Sequence, residues 1–456
     1  MATNTYENLP INLFIRQLSD TKGSSILYDE FKEELLKTTD NGNKKYNIFI
    51  KEDDNLCMLY NNPHKSLENI SEFESSIRSV ILEKSTLKPL VTQYNKILYN
   101  NESLEFIKDK DWNKFVIQKC YEGTLIVVFN HNSKWYITTR RCLNAQDSTW
   151  IRDHSYYDMF VEAMENKFSF EDLNVDYCYH FILVHYKNKN IVSYNTLGRE
   201  YKELYHVLTT EKYTLKEVPV VINDKVKYIT EEKFTSLQEL QNEIIKQNEN
   251  DVKYQKVTLE GYVLRYYLGD VGSSPFVTLK LQTPIYESLM NLKPNNSNIY
   301  QCFLELYQQD KLHEFLPYFT RYGNDVVKRI HISMQNISKE MLDLYHMTRN
   351  KNNGEMYNKL SVQYKKCLYE IHGLYIKNRK NDFENGVDVK TNGNTKSINV
   401  FDVYHYLKTL PSNELRQLYY DRNQIISDVE MKFLNRNCIN TTTQSTLMFK
   451  HLKNKH

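Results

Sequence analysis

The chain has 456 residues, of which 41% are hydrophobic, and carries a formal net charge of +2 at pH 7. That length supports two or three domains, each with its own core. The near-neutral balance excludes a global basic field, so any nucleic-acid contact has to be a local patch.

The 36 Tyr and 20 Phe supply rings for core packing and for stacking on bases. The heavy use of Asn, Lys, Tyr and Ile reads as the bias of an AT-rich genome. The seven cysteines, Cys57, Cys120, Cys142, Cys178, Cys302, Cys367 and Cys438, are widely spaced with no Cys-x-x-Cys pair. This is neither a disulfide framework nor a zinc site, and it suits a reducing compartment. The start, MATNTYENLPINLF, has no basic region followed by an apolar core, and no run of 18 apolar residues occurs. An intracellular, cytoplasmic protein without a membrane span is expected.

In chain order, residues 1–70 are polar and mixed, with a hairpin expected from Tyr46–Ile50 and Leu56–Tyr60. IRSVIL (77–82) reads as a strand. TLIVVFN, HNSK and WYITT read as two strands around a tight turn. Residues 153–167 suit a short helix. YCYHFILVHY, KNKN and IVSY suggest another hairpin. TSLQELQNEIIKQNEN has helical spacing, and residues 254–266 and 276–283 read as strands. Beyond about Pro294, segments 299–316, 324–349, 355–379 and 401–423 repeat apolar residues every three or four positions. Val327, Ile330, Met334, Ile337, Met341 and Leu344 are examples, and the pattern is that of a helical bundle. Residues 380–397 read as a polar loop, and the tail 438–456 as frayed. The expected layout is α+β: an N-terminal extension (1–70), a β-rich domain (71–294) and an all-helical C-terminal domain (295–456).

A series of short blocks runs from Arg78 to Tyr286. IRSVIL carries Arg78, and KPLVTQYNKILYNNE carries Lys96. IQKCYEGTLIVVF sets Lys119 and Cys120 ahead of Glu122-Gly123-Thr124. KWYITTRRC carries Arg140 and Arg141, which alternate if they lie on a strand, so Arg140 is taken to face the site. YHFILVHYKNKNIVSY follows, then LEGYVLRYY with Glu260-Gly261, then FVTLKLQTPIY with Lys280, Gln282 and Tyr286. In this order the blocks resemble the nucleotidyltransferase domain of ATP-dependent RNA ligases of the phage T4 type. The resemblance covers about 210 residues, and such enzymes also append a helical domain.

The resemblance implies an antiparallel-sheet, ATP-grasp-like ligase domain that uses ATP and Mg2+ on single-stranded RNA ends through a covalent enzyme–AMP intermediate. Arg78 and Lys96 would contact the ATP phosphates, with Glu122, Gly123 and Arg140 also at the nucleotide. Glu260 would hold the metal, and Gly261 would let backbone approach the nucleotide. Lys280 would contact the α-phosphate. Three positions depart from the family. The nucleophilic lysine's place is Cys120, with Lys119 beside it, and only a β-bulge would turn Lys119 inward. Leu183 stands where the family has a ribose-binding glutamate, with His185 or Tyr186 as nearby substitutes. Gln282 replaces a second lysine, so it offers a hydrogen bond without charge.

Four readings stay open: an active RNA ligase, with Lys119, Cys120 and Lys280 as its catalytic candidates; a degenerate ligase fold that binds RNA or nucleotide as a scaffold; an mRNA-capping guanylyltransferase using GTP; and a β-rich structural protein. The composition and divergence suggest a large DNA virus as source.

Overall fold

The computed structural model describes residues 6–61, 71–92, 96–151, 153–272, 275–322, 325–349, 354–384 and 398–427. The chain divides into two compact units, Met1–Asn291 and Leu292–His456.

The first unit opens with two helices that the mixed sequence of this region did not announce, α1 (Pro10–Lys22) and α2 (Tyr28–Leu36). Pro10 begins α1, and Gly23 ends it at φ 73, its N–H returning to the Ser19 and Asp20 carbonyls. The buried residues Ile11, Phe31 and Leu35 dock both helices on a first sheet. That sheet is β1 (Ile48–Glu52), β2 (Leu56–Asn61), β3 (Val80–Glu83) and β4 (Pro89–Thr92), antiparallel in that order, with α3 (Glu72–Ser76) between β2 and β3. The hairpin expected near residues 46–60 is the β1–β2 pair.

The next elements are β5 (Leu98–Tyr99), α4 (Asn100–Ile107), β6 (Phe115–Cys120), β7 (Thr124–His131) and β8 (Lys134–Thr138). Then come β9 (Thr149–Ile151), β10 (His154–Ser155), α5 (Tyr156–Met164), β11 (Tyr177–His185) and β12 (Lys202–Glu211). The unit ends with β13 (Glu217–Val218), β14 (Lys227–Tyr228), α6 (Leu237–Tyr254), β15 (Gly261–Tyr267), β16 (Phe276–Gln282) and α7 (Pro284–Leu292). A six-stranded sheet runs β13-β12-β11-β7-β8, with β14 beside β12. A third sheet runs β5-β16-β15-β6. Most pairings are antiparallel; β12–β14 and β16–β5 are parallel.

The turn between β7 and β8 places Asn132 and Ser133 at φ 51 and φ 60, the left-handed pair that matches strand twist in a two-residue hairpin. The hairpin expected from IVSY does not form. β11 pairs with β7 and with β12, a ten-residue strand the sequence reading passed over. The IVSY donors are taken elsewhere: Val192 N–H by a Glu122 carboxylate oxygen at 2.7 Å and Ser193 N–H by the Val257 carbonyl at 2.8 Å.

Strand alternation gives the six-stranded sheet two different faces. Ile126, Val128, Phe181 and Leu183 pack with Met159 and Phe160 of α5. Val127, Phe129 and Cys178 pack on Leu56, Met58, Ile81 and Val91 of the first sheet. The third sheet buries Phe115, Ile117, Tyr262, Leu264, Leu279 and Leu281 against Leu240 and Ile244 of α6, leaving its opposite face for the site.

The second unit is helical: α8 (Ile299–Gln308), α9 (Leu312–Phe315), α10 (Val326–Arg349), α11 (Gly354–Lys359), α12 (Val362–Glu384), α13 (Val400–Thr409) and α14 (Ser412–Ser427). The expected helical segments are present but interrupted, by Asp310 at φ 58 and before Pro411. On α10 the buried residue is Val326, and Val327 is exposed. Helix α12 runs to Glu384, into the segment read as loop. Residues 385–397, the tail 438–456 and Cys438 lie outside the described residues. The other six cysteines are free and buried. No helix among the described residues is long and apolar enough to cross a membrane.

Candidate functional site

The unburied face of the third sheet is set by register. Gly261 of β15 lies opposite Cys120 of β6 and Gln282 of β16. Val263 lies opposite Gln118 and Lys280, and Lys280 in turn opposite Tyr99 of β5. These residues share one face. Lys119, opposite Tyr262, belongs to the other. The β6–β15 register is continuous from Phe115 to Cys120, so no bulge turns Lys119 inward. Lys119 Nζ sits 3.3 Å from Glu232 with its side chain 45% exposed. Cys120, only 4% exposed, occupies the inward position.

Beside Cys120, Lys280 Nζ donates to Glu260 Oε1 at 2.9 Å, and Gln282 Nε2 donates to the same oxygen at 3.1 Å. Burial, then the Glu260 carboxylate, push the Cys120 thiol well above the usual thiol range. Near neutral pH it is a neutral thiol, and the thiol form is not the nucleophilic one. Burial opposes the charge on Lys280, and the Glu260 carboxylate 2.9 Å away holds it as an ammonium and raises its pKa. A lysine held this firmly as ammonium is a charge, not a nucleophile.

This face closes one side of a cavity of about 480 Å3. The other walls come from Thr124 and Leu125 of β7, Ile182 of β11 and Val207 of β12, with Trp150 and Tyr156. Arg78, Lys119, Arg140, Arg141, Arg265 and Lys280 line it, Lys119 with its ammonium turned to Glu232, and no Asp or Glu does among the described residues. Arg265 is matched by Glu217 at 2.8 Å. Arg78, Arg140 and Arg141 form a cluster of like charge. Burial, then Arg78 and Arg141, bring the Arg140 pKa down to about 10. Burial likewise holds Arg78 below the usual guanidinium range. Arg140 Nη2 donates to Asn61 Oδ1 at 2.9 Å, whereas its buried Nε has no hydrogen-bond partner among the described residues. A buried donor without a partner costs about 1–3 kcal/mol. Three crowded guanidinium groups and an orphaned donor are the complement of a polyanion such as a nucleotide's phosphates.

The alternation expected of Arg140 and Arg141 fails because β8 ends at Thr138. Thr139 bridges to Cys142 in a tight turn, and both arginines line the cavity. Lys96 does not line it; its Nζ pairs with Glu102 at 3.0 Å. Glu122 lies behind the wall. Its carboxylate accepts from Val192 N–H, and its carbonyl from Asn190 and Tyr194. The Gln282 amide is shared between Glu260 and Asn100, with Asn100 Nδ2 donating to Gln282 Oε1 at 3.2 Å. Leu183 is fully buried in the α5 core, so its neighbour Ile182 faces the cavity, and neither offers a ribose acceptor. His185, one of the suggested substitutes, is buried against Glu162 at 3.3 Å. Tyr286 is buried behind the site, its phenol pKa raised first by burial and then by Glu122 and Glu260.

The two glycines serve neighbouring strands. A Cβ on Gly261, at φ 152, would come within 2.1 Å of the Leu281 carbonyl oxygen. One on Gly123 would come within 2.6 Å of the Leu183 carbonyl oxygen. Glu260 is a poor metal ligand here, since Oε1 already serves Lys280 and Gln282. No group of three or more His, Cys, Asp or Glu residues placed to hold a metal occurs among the described residues.

The sequence reading missed Tyr99, Gln118, Trp150 and Arg141 as lining residues. Gln118 was recoverable, since it lies two residues before Cys120 on the same strand face. The others depend on turns and on pairing across long stretches of chain.

No protein-family model matches the chain. Two curated proteins do, each named an immediate-early protein ICP-46 homolog. That of Invertebrate iridescent virus 6 is 24% identical over 332 residues, covering 68% of this chain and 65% of the relative. That of Invertebrate iridescent virus 3 is 28% identical over 130 residues, covering 26% of this chain and 29% of the relative. The chain thus spans less than two thirds of either relative. Among solved structures, an archaeal ATP-dependent RNA ligase (form 1) aligns at TM-score 0.38 and 12% identity over 68% of this chain and 72% of that one. A putative ATP-dependent DNA ligase from Aquifex aeolicus aligns at TM-score 0.33 and 12% identity over 59% and 67%. At these scores the overlap is too partial to carry a functional assignment.

Proposed function

We propose that the first unit is a ligase-type nucleotidyltransferase domain, virus-encoded, that has lost the covalent step. It holds a nucleoside triphosphate by its phosphates, without a lysyl–nucleotide intermediate, and serves as a nucleotide- or RNA-binding module. The observation that carries this reading is the register of β6. Cys120, a neutral thiol, faces the Glu260–Lys280 pair and the cavity, whereas Lys119, at the cavity's edge, stands on the other face of β6 with its ammonium 3.3 Å from Glu232. Phosphoramidate formation needs an amine in line with the α-phosphate; in this reading Lys119 is held by Glu232 and Lys280 by Glu260.

In this reading Arg78, Arg140 and Arg141 neutralise the phosphates, and the apolar wall of Leu125, Ile182, Val207 and Val263 takes the base. Lys280 stays a fixed positive charge at the cavity floor. The order of the sequence blocks supports the ligase kinship, and the viral relatives support the source. In this reading the arginines take the place of a metal at the phosphates. The test is calorimetric titration of the full chain with ATP and with GTP, with excess EDTA and then with Mg2+. Saturable binding in EDTA, lost on Arg140→Met, is the expected result. Binding that appears only with Mg2+, or ATP label that survives denaturation, supports instead an active RNA ligase using ATP and Mg2+ on RNA ends. The same label from GTP alone supports a capping guanylyltransferase.

A further inference from the structure

Helix α12 has two faces of different character. Tyr364, Cys367, Leu368 and Ile371 are buried in the helical unit. On the opposite face Val362, Tyr369, Ile376 and Phe383 stand 84%, 71%, 54% and 74% exposed. These four residues are spaced by seven, a repeat that keeps a stripe aligned along one side of the helix. The positions between them, four residues after each of the first three, carry Lys366, paired with Glu414, Gly373, and Lys380, paired with Glu384, all three exposed. Large exposed apolar residues in such a line mark an interaction surface.

The charges on this face select the partner. Glu370 and Lys377 flank the seam at equivalent heptad positions, seven apart, and neither enters an ion pair among the described residues. A parallel partner of the same sequence would set Lys366 on Lys366 and Lys380 on Lys380. An antiparallel partner of the same sequence sets Glu370 against Lys377 of the second copy, and Lys377 against its Glu370. In that register Ile376 meets Gly373 of the second copy, which lets the two helices approach closely. Tyr369 then meets Lys380 of the second copy and Phe383 meets its Lys366, pairs that suit cation–π contact. A two-fold axis repeats each of these contacts.

We propose that α12 is a self-association surface on which a second copy of this chain docks antiparallel through the Val362–Tyr369–Ile376–Phe383 seam. The aromatic rings bring roughly 100–180 Å2 each and the aliphatic side chains somewhat less. The sum is on the order of 1,000 Å2 over both copies, at the lower limit for a specific interface, so the dimer is weak and concentration-dependent.

Sedimentation equilibrium of the full chain tests it. The expected result is a monomer–dimer equilibrium in the micromolar range, weakened by ~30-fold or more in Ile376→Glu. Glu370→Lys and Lys377→Glu each weaken it several-fold, and the double reversal restores it to within about threefold of the parent. Circular dichroism establishes that the exposed-site variants stay folded. A chain that is monomeric at ~200 µM, a dimer indifferent to Ile376→Glu, or a double reversal no better than the singles overturns the proposal. So does a monomer whose seam instead binds RNA or an acidic peptide.

Discussion

Replacing Arg140 with methionine should separate binding from stability in opposite directions. The guanidinium is crowded by Arg78 and Arg141, and burial and those charges lower its pKa from 12.5 to about 10. At ~1.4 kcal/mol per unit, the charge costs the fold about 3 kcal/mol. Residual solvent access reduces this to about 2. Methionine keeps the length of the side chain and removes the charge and the orphaned Nε. It also loses the 2.9 Å bond to Asn61, worth about 1 kcal/mol. The net expectation is a fold more stable by about 1 kcal/mol, or a thermal midpoint higher by roughly 2–4 °C. ATP binding should weaken, because a charge-assisted bond to phosphate is worth ~1.5–3 kcal/mol, or about 10- to 150-fold in Kd. Differential scanning fluorimetry with and without ATP reads both quantities in one experiment. A variant that melts lower and binds ATP as the parent does would refute the reasoning.

Gly261→Ala would force a Cβ to within 2.1 Å of the Leu281 carbonyl at φ 152. It should destabilise the first unit by about 3 kcal/mol or more, seen as a midpoint drop in urea. Glu260→Ala would leave Lys280 buried without its carboxylate, and the expected loss is about 3–5 kcal/mol. Little change in its urea midpoint would show that the pair is not structural. Three buried histidines couple stability to acid. His206 and His185 are lowered to about 4, and His180 to about 3, each chiefly by burial. Their folded pKa values lie below the unfolded ~6.5, so the neutral forms contribute stability above pH ~6.5. That stability is lost as pH falls toward 4, by up to ~3 kcal/mol for His206 alone. Unfolding curves at pH 7.5, 6 and 5 should show a progressive loss, and a His206→Asn variant should show a shallower one.

What the sequence disclosed is what depends on local periodicity. The β7–turn–β8 hairpin, the amphipathic helices of the second unit and the order of the site strands all follow from spacing. The decisive question of Lys119 against Cys120 was also legible, because a strand without a bulge assigns adjacent residues to opposite faces. Helix α1 was legible from Ile11, Phe14, Ile15 and Leu18, which stand at helical spacing, but the polar residues between them made the region look mixed, and the sheet it covers comes from later sequence. Arg141 was set aside because alternation was carried three residues beyond the end of β8. Lys96 and Gln282 were assigned to the nucleotide; Lys96 pairs with Glu102, and the Gln282 amide is shared between Glu260 and Asn100. The Gln282–Asn100 contact spans 182 residues, beyond the reach of any local pattern. IVSY looked like a strand by composition, yet its N–H groups answer Glu122 and Val257, partners that only the assembled fold supplies.

The central claim is that a neutral thiol faces the cavity where covalent chemistry would need a lysine. Its most direct test is intact-mass analysis of the full chain after incubation with ATP or GTP and Mg2+, followed by denaturation and peptide mapping. The account predicts an unmodified protein that nonetheless retains nucleotide under native conditions. A stable nucleotidyl adduct, mapped to Lys119, Lys280 or any other lysine of the first unit, would contradict it.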